Sequence, residues 1–122
     1  FDADNPQFIR QAGHANIELM LNPAWNGGPD AAIQLNMAVF RAIENGFSLL
    51  RPTREGFSAA ADSHGRILAV SRTTSSDGVL VAYVPIESHP TLYTTLGDAF
   101  GWVCLIGLVI MIAVGFKQRR IR

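Results

Sequence analysis

Cysteine is almost absent from this chain of 122 residues: Cys104 is the only one, and it sits inside an apolar run. A single thiol excludes a disulfide within the chain, and apolar surroundings disfavour the thiolate that a nucleophile or metal ligand needs. Cys104 reads as a small packing residue. Histidine is scarce too. His14, His64 and His89 lie in three separate segments without metal-ligand spacing, so neither a metal nor another cofactor is expected. Basic residues are few in the body of the chain. Residues 1–116 hold six against ten acidic ones, a net −4. No field gathers phosphates there, which excludes nucleic-acid partners. The remaining four basic residues, Lys117, Arg119, Arg120 and Arg122, crowd the last six positions. Internal repeats, low-complexity tracts and an N-terminal signal pattern are all missing. The chain opens on Phe1 rather than Met, as a processed chain or a fragment does.

What is present in quantity is apolar. Ala99 to Phe116 reads AFGWVCLIGLVIMIAVGF, without a charge, Asn, Gln, Ser or Thr. At ~1.5 Å per residue these 18 residues span about 27 Å, close to a hydrocarbon core of ~30 Å. In lipid the backbone has no other partner, so helix is forced. Asp98 marks the outer boundary and Lys117 the inner one, with Tyr93 and Trp102 near the outer end where such rings favour the interface. The tail KQRRIR orients the span, because positive flanks favour the cytoplasm. Residues 1–98 are then expected outside it. The bland reading, a buried helix of a soluble core, fits poorly with so long a run lacking one polar face.

Ahead of the span, Asn5 and Pro6 predict a helix over residues 5–15, with Phe8, Ile9 and Ala12 on one face and Gly13 weakening or ending it. Ile17–Leu21 suits a buried strand, and Asn22-Pro23 breaks it. Residues 26–29 form a loop. Asp30 is a good N-cap for a second helix with Ile33, Met37, Phe40 and Ile43, and Ala38 and Ala42 beside them, at helical spacing, ended by Gly46 in a left-handed cap. Strands are expected at 47–50, 56–61, 66–72 and 78–85, the last (VLVAYV) as a central one, with a hairpin turn at 62–65. The order is α/β, appears cut at its front, and implies a sheet covered on both faces.

Residues able to carry chemistry are thinly spread. His64 reads as a solvated turn residue. Ser58, in Gly56-Phe57-Ser58-Ala59-Ala60, misses the second glycine of a nucleophile elbow and reads as a strand serine. Glu44 reads first as the i,i+3 partner of Arg41 and second as an acid/base group. Trp25, flanked by Pro23 and Gly27-Gly28, fits packing and site-lining equally.

Four stretches together resemble the C-terminal half of a carbon–nitrogen hydrolase (nitrilase superfamily) domain, in the membrane-bound branch that includes apolipoprotein N-acyltransferase. They are Phe1-Asp2-Ala3-Asp4-Asn5-Pro6 with Phe8-Ile9-Arg10; Leu21-Asn22-Pro23-Ala24-Trp25; Met37 to Gly46 with Leu50-Arg51-Pro52-Thr53 and Gly56; and Leu96 to Trp102. The third is the most specific. The resemblance implies a partial α-β-β-α sandwich half-domain over 1–88, a linker at 89–98, a transmembrane helix at 99–116 and a basic cytoplasmic tail at 117–122. It implies acyl transfer through a cysteine thioester, using a Glu–Lys–Cys triad. The family's Cys would stand immediately before Phe1, with the Glu and Lys farther upstream, so the chain alone should be inactive. Phe1 then matches the residue whose N–H serves the oxyanion hole, Asp2 the acidic residue after it, and Trp25 a loop Trp near the substrate. Gln34 stands where a His is common, and Arg54-Glu55 where the family often has Asn and a small residue. The implied partners are a phospholipid acyl donor and a lipoprotein or small-amide acceptor. The implied location is a bacterial inner membrane, with the soluble part periplasmic. Two rivals stand beside lipoprotein N-acylation: a membrane-tethered amidase, and a noncatalytic membrane-anchored binding remnant.

Overall fold

The structure, a computed structural model, describes residues 5–25, 27–73 and 78–120. Phe1, Asp2, Asp4 and Asn26, most of the polar loop after residue 73, and the last two tail residues lie outside the described residues. Asn5 begins the first helix from an extended backbone. Its side-chain oxygen accepts from Gln7 N–H at 3.1 Å and Phe8 N–H at 3.4 Å. Helix α1 runs Pro6–His14. Gly13 does not end it. The glycine is buried in the last turn, where a Cβ would come within 2.7 Å of both Asn45 Oδ1 and Thr94 Cγ2, so its role is close approach. Ile9 is buried, whereas Phe8 is mostly exposed and does not share that face.

Strand β1 (Leu19–Leu21) pairs in parallel with β2 (Ser48–Arg51). Parallel neighbours need a crossover, and helix α2 (Ala31–Asn45) supplies it. Strands β3 (Gly56–Ala61) and β4 (Ile67–Thr73) continue antiparallel, in the order β1-β2-β3-β4. As an edge strand β1 is only partly covered, and Leu21 is exposed, so the buried strand expected there is not found. Helices α1 and α2 lie on one face, where Ile9, Leu35, Ala38, Val39, Ala42, Phe47, Leu49, Ala59 and Ala61 form the core.

Helix α2 buries only the small residues of the expected stripe, Ala38 and Ala42. Asp30 makes no side-chain cap bond. The large residues Ile33, Met37 and Phe40 are exposed, Phe40 at 64%, while Ile43 lies against Gly65 of the β3–β4 turn. The buried face carries Ala31, Leu35, Ala38, Val39 and Ala42. The reason is steric: β3 presents alanines, and small residues on α2 let helix and sheet approach closely, as interior packing density demands. Gly46 ends α2 as expected, at φ 72°, its N–H donating to Ala42 O at 2.8 Å.

The turn between β3 and β4 is organised by Asp62, which is buried. Its carboxylate accepts from His64 N–H (3.0 Å), Arg66 N–H (2.8 Å) and Arg66 Nε (2.8 Å). Burial alone pushes this carboxyl up. The hydrogen bonds from Arg66 and His64 and the charge of Arg66 outweigh that, and hold it below its ordinary value of 3.8.

Residues 78–90 form no strand, contrary to expectation. The run is extended and alternates, with Leu80, Ala82 and Val84 half-buried and Val79, Val81 and Tyr83 exposed, the last at 94%. An apolar strand needs a paired neighbour, and this run has none among the described residues. Its anchors come later: Ser48 Oγ donates to Pro85 O at 2.7 Å, and His89 N–H donates to Gly46 O at 2.9 Å. Side chains alternate along β2, so Ser48 lies opposite the core-facing Leu49, and the Pro85 contact marks where this segment meets the second face of the sheet. A short helix α3 (Leu92–Leu96) follows, then α4 (Ala99–Arg120). Within α4 the window Ala99–Phe116, mean hydropathy 2.5, is long and apolar enough to cross a membrane, and none of it is buried against the rest of the chain.

Two outcomes test this packing in the detergent-solubilised full-length gene product. Gly46→Ala forces a left-handed conformation on a Cβ and drives it into His89 O. It should cost at least ~1–2 kcal/mol, read as a lowered Tm. Because the Asp62 carboxyl is held below its unfolded value, its contribution is present above pH 3.8 and lost as pH falls through its folded pKa. Asp62→Asn should therefore lower Tm at neutral pH and flatten the loss of Tm below pH 3.8. Parallel acid profiles would contradict this.

Candidate functional site

In open α/β sheets, ligand sites form beyond the carboxyl ends of parallel strands. Here those ends belong to β1 and β2, and the loops that follow them are joined. Asn22 N–H donates to Leu50 O and Ala24 N–H to Pro52 O, both at 3.0 Å, while Arg54 N–H donates to Ala24 O at 3.1 Å. Ala24 and Thr53 form an isolated parallel bridge. The strand pairing thus continues past Pro52 into the loops and fixes their register.

Trp25 projects from this bridge. It is 66% exposed, and the guanidinium carbon of Arg54 lies 4.6 Å from its ring centroid. A cation over an indole at that distance orients the ring without burying it. Gly27 sits against Glu55, where a Cβ would lie 2.6 Å from the carboxylate. Behind the rim the loop is held from inside. Thr53 N–H donates to Ser58 Oγ at 2.9 Å, and the two hydroxyls are 3.1 Å apart. Thr53, Ser58 and the adjacent Arg51 are all buried. Ser58 is therefore a brace for the loop, in keeping with its reading as a strand serine.

The start of α1 belongs to the same end of the sheet. Helix α1 leads into β1 through a short connection, so its C-terminus meets the beginning of β1 and its N-terminus lies toward the carboxyl ends. Phe1 and Asp2 lie outside the described residues.

The other candidates fall elsewhere. Glu44 pairs with Arg41 on α2, and its backbone carbonyl accepts from Thr91 Oγ1. Cys104 lies on α4. His64 is exposed in its turn, but its ring stands 5.1 Å from that of His89, and His89 Nε2 is 3.6 Å from Glu87. Sequence spacing gave no signal for that pair. Among the described residues no group of three or more His, Cys, Asp or Glu could hold a metal ion. A second feature invisible in the sequence is a cleft of about 310 Å³ lined by Gln7, Arg10, Gln11, His14, Tyr93 and Asp98. Burial and the nearby carboxylates of Asp98 and Glu44 push the Tyr93 phenol up.

Comparison with known proteins gives a consistent direction. No family model matches the chain. An apolipoprotein N-acyltransferase of Geobacter metallireducens is 30% identical over 125 aligned residues, covering 99% of this chain and 24% of that protein. Apolipoprotein N-acyltransferase 1 of Treponema denticola is 42% identical over 100 residues, covering 79% and 18%. The chain thus spans about a quarter or less of the curated relatives it matches. Among solved structures, an amidase from Nesterenkonia sp. AN1, carrying acrylamide added at its active-site cysteine, superposes with a TM-score of 0.63. The match has 22% identity over 80% of this chain and 39% of that one. The same amidase, in another form, is assigned to the nitrilase superfamily. The four-stranded sheet and its helices match part of that fold.

The brace behind the rim is open to a direct check. Ser58→Ala leaves the buried Thr53 N–H without its 2.9 Å acceptor. It should lower stability by about 1–3 kcal/mol. Arg54→Ala removes only an exposed cation–π contact, about 0.5–1 kcal/mol, so its Tm shift should be the smaller of the two.

Proposed function

We propose, taking as premise that this chain is homologous to a part of the apolipoprotein N-acyltransferases, that it is the C-terminal part of a membrane-anchored acyl-transferring enzyme. Its substrates would be a phospholipid donor and the terminal amine of a lipoprotein. Residues 1–88 close a carbon–nitrogen hydrolase domain, 89–98 link it to the membrane, 99–116 span the membrane, and 117–122 are a basic cytoplasmic tail. The soluble part then lies on the periplasmic side of a bacterial inner membrane. The observation that carries this reading is the identity to curated N-acyltransferases along nearly the whole chain, the apolar helix included.

The chemistry follows from the family resemblance. A cysteine thiolate, expected directly before Phe1, attacks the ester carbonyl of the donor. The carbon–oxygen bond breaks, the lysophospholipid alkoxide takes a proton, and a thioester remains. The acceptor amine then attacks the thioester, losing a proton as the thiolate leaves. On that resemblance the backbone N–H of Phe1 would serve the oxyanion hole, Asp2 would be the acidic residue after it, and Trp25 would border the acyl group. Arg54 holds the Trp25 ring in that position. An apolar, exposed indole on a fixed loop suits an acyl chain better than a small polar amide.

The test uses the full-length gene product in phospholipid vesicles. It is offered a lipopeptide with a free terminal cysteine amine, and separately a set of small amides. Acyl transfer that depends on the lipid donor is the expected result. Amide hydrolysis without lipid dependence would overturn the reading in favour of the amidase. Trp25→Ala should reduce kcat/KM for the lipid donor by roughly tenfold with little change in Tm, because the ring is mostly outside the core. The 122-residue chain alone should show no turnover.

A further inference from the structure

Helix α1 carries Gln7, Arg10, Gln11 and His14 along one stripe, at i, i+3, i+4 and i+7. Opposite them stand Tyr93 and Asp98, and the cleft between presents polar and apolar surface in equal measure. Asp98 also borders a second groove, about 240 Å³, lined by Gly101, Trp102 and Leu105 on α4. The two share Asp98, and the lining of the second is almost wholly apolar.

The charges in the upper cleft meet no opposite charge among the described residues. Arg10 donates Nε to Thr94 O and one Nη to Thr95 O, each at 3.1 Å, and meets no carboxylate among the described residues. Its other Nη lies against Gly97, and the guanidinium has no carboxylate partner among the described residues. Asp98 has only the Tyr93 hydroxyl, at 3.5 Å, and no cation among the described residues. One unpaired cation and one unpaired anion thus face a common space. Asp98 immediately precedes the apolar window, so with α4 in a bilayer this space stands at headgroup level.

We propose that the cleft between α1 and the start of α4 binds a zwitterionic phospholipid, whose phosphate is held by Arg10 and whose ammonium is held by Asp98, with acyl chain beside Gly101, Trp102 and Leu105. A purely anionic headgroup would satisfy Arg10 and be repelled by Asp98. The bound lipid is a retained one that seats α1 against the anchor helix, since Arg10 already ties α1 to the backbone just ahead of α4. The proposal rests on α4 spanning a membrane and is independent of the acyl-transfer chemistry.

The experiment takes the full-length gene product in nanodiscs of equimolar phosphatidylethanolamine and phosphatidylglycerol, releases it gently, and counts retained lipids by native mass spectrometry. Enrichment of the zwitterionic lipid is expected. Asp98→Asn should cut the ratio of zwitterionic to anionic lipid by about tenfold. Gly101→Leu fills the lower groove, where an added Cβ meets nothing, and should abolish retention of either lipid. Equal retention of both lipids by the wild type, or an unchanged ratio in Asp98→Asn, would overturn the proposal. Labelling of Cys104 by a charged maleimide in the intact nanodisc, read on its own peptide, separates the two premises. A shielded Cys104 with no lipid preference refutes the cleft alone, and a reactive Cys104 refutes the span beneath it.

Discussion

The left-handed backbone at Gly46 is the constraint on which the rest hangs. Four connections converge within three residues of it. Its own N–H closes α2 onto Ala42 O, and Phe47 and Ser48 turn directly into the central parallel strand. Its carbonyl accepts His89 N–H, and the neighbouring Glu44 carbonyl accepts Thr91 Oγ1. The returning chain is therefore hooked to the end of α2 before it enters α3 and α4. A side chain at position 46 would occupy the place of the His89 carbonyl. Helix layer, sheet and α4 are coupled through one glycine, because only glycine combines that φ with so close an approach.

From that junction the two ends of the domain take different tasks. At the amino ends of the strands, α1, α2 and α3 pack around Gly13, Asn45 and Thr94 and join the soluble layers to α4. At the carboxyl ends, the bridged loops after β1 and β2 hold Trp25 out of the core on a backbone braced by Ser58. A site built this way has a rigid floor and an exposed aromatic rim. Such a division, with function on loops and stability in the layers beneath, is the ordinary economy of α/β folds.

Much of this was legible in the sequence, and the failures have physical causes. Asn5, Gly46, the 62–65 turn and the apolar run at 99–116 are local signals, each set by a few adjacent residues, and they appear where expected. The inward face of α2 was legible only at Ala38 and Ala42, because hydrophobicity outranks size in a periodicity argument. Ile33, Met37, Phe40 and Ile43 are the more apolar stripe, yet the alanine surface of β3 accepts only the smaller one. The run VLVAYV has strand composition, but strand formation also needs a paired edge, and no window of sequence contains that information. Trp25 was visible as an aromatic among glycine and proline, whereas its tie to Arg54 was not. Likewise the cleft beside α1 joins residues more than eighty positions apart.

The most direct test of the acyl-transfer reading is a trapped intermediate. The full-length gene product would be incubated with phospholipid in the absence of any acceptor, digested, and its cysteine peptides weighed. An added acyl mass on the peptide that runs into Phe1-Asp2-Ala3-Asp4, removable by hydroxylamine, is the expected result. Phospholipid turnover with no adduct there, or an adduct confined to Cys104, would contradict it.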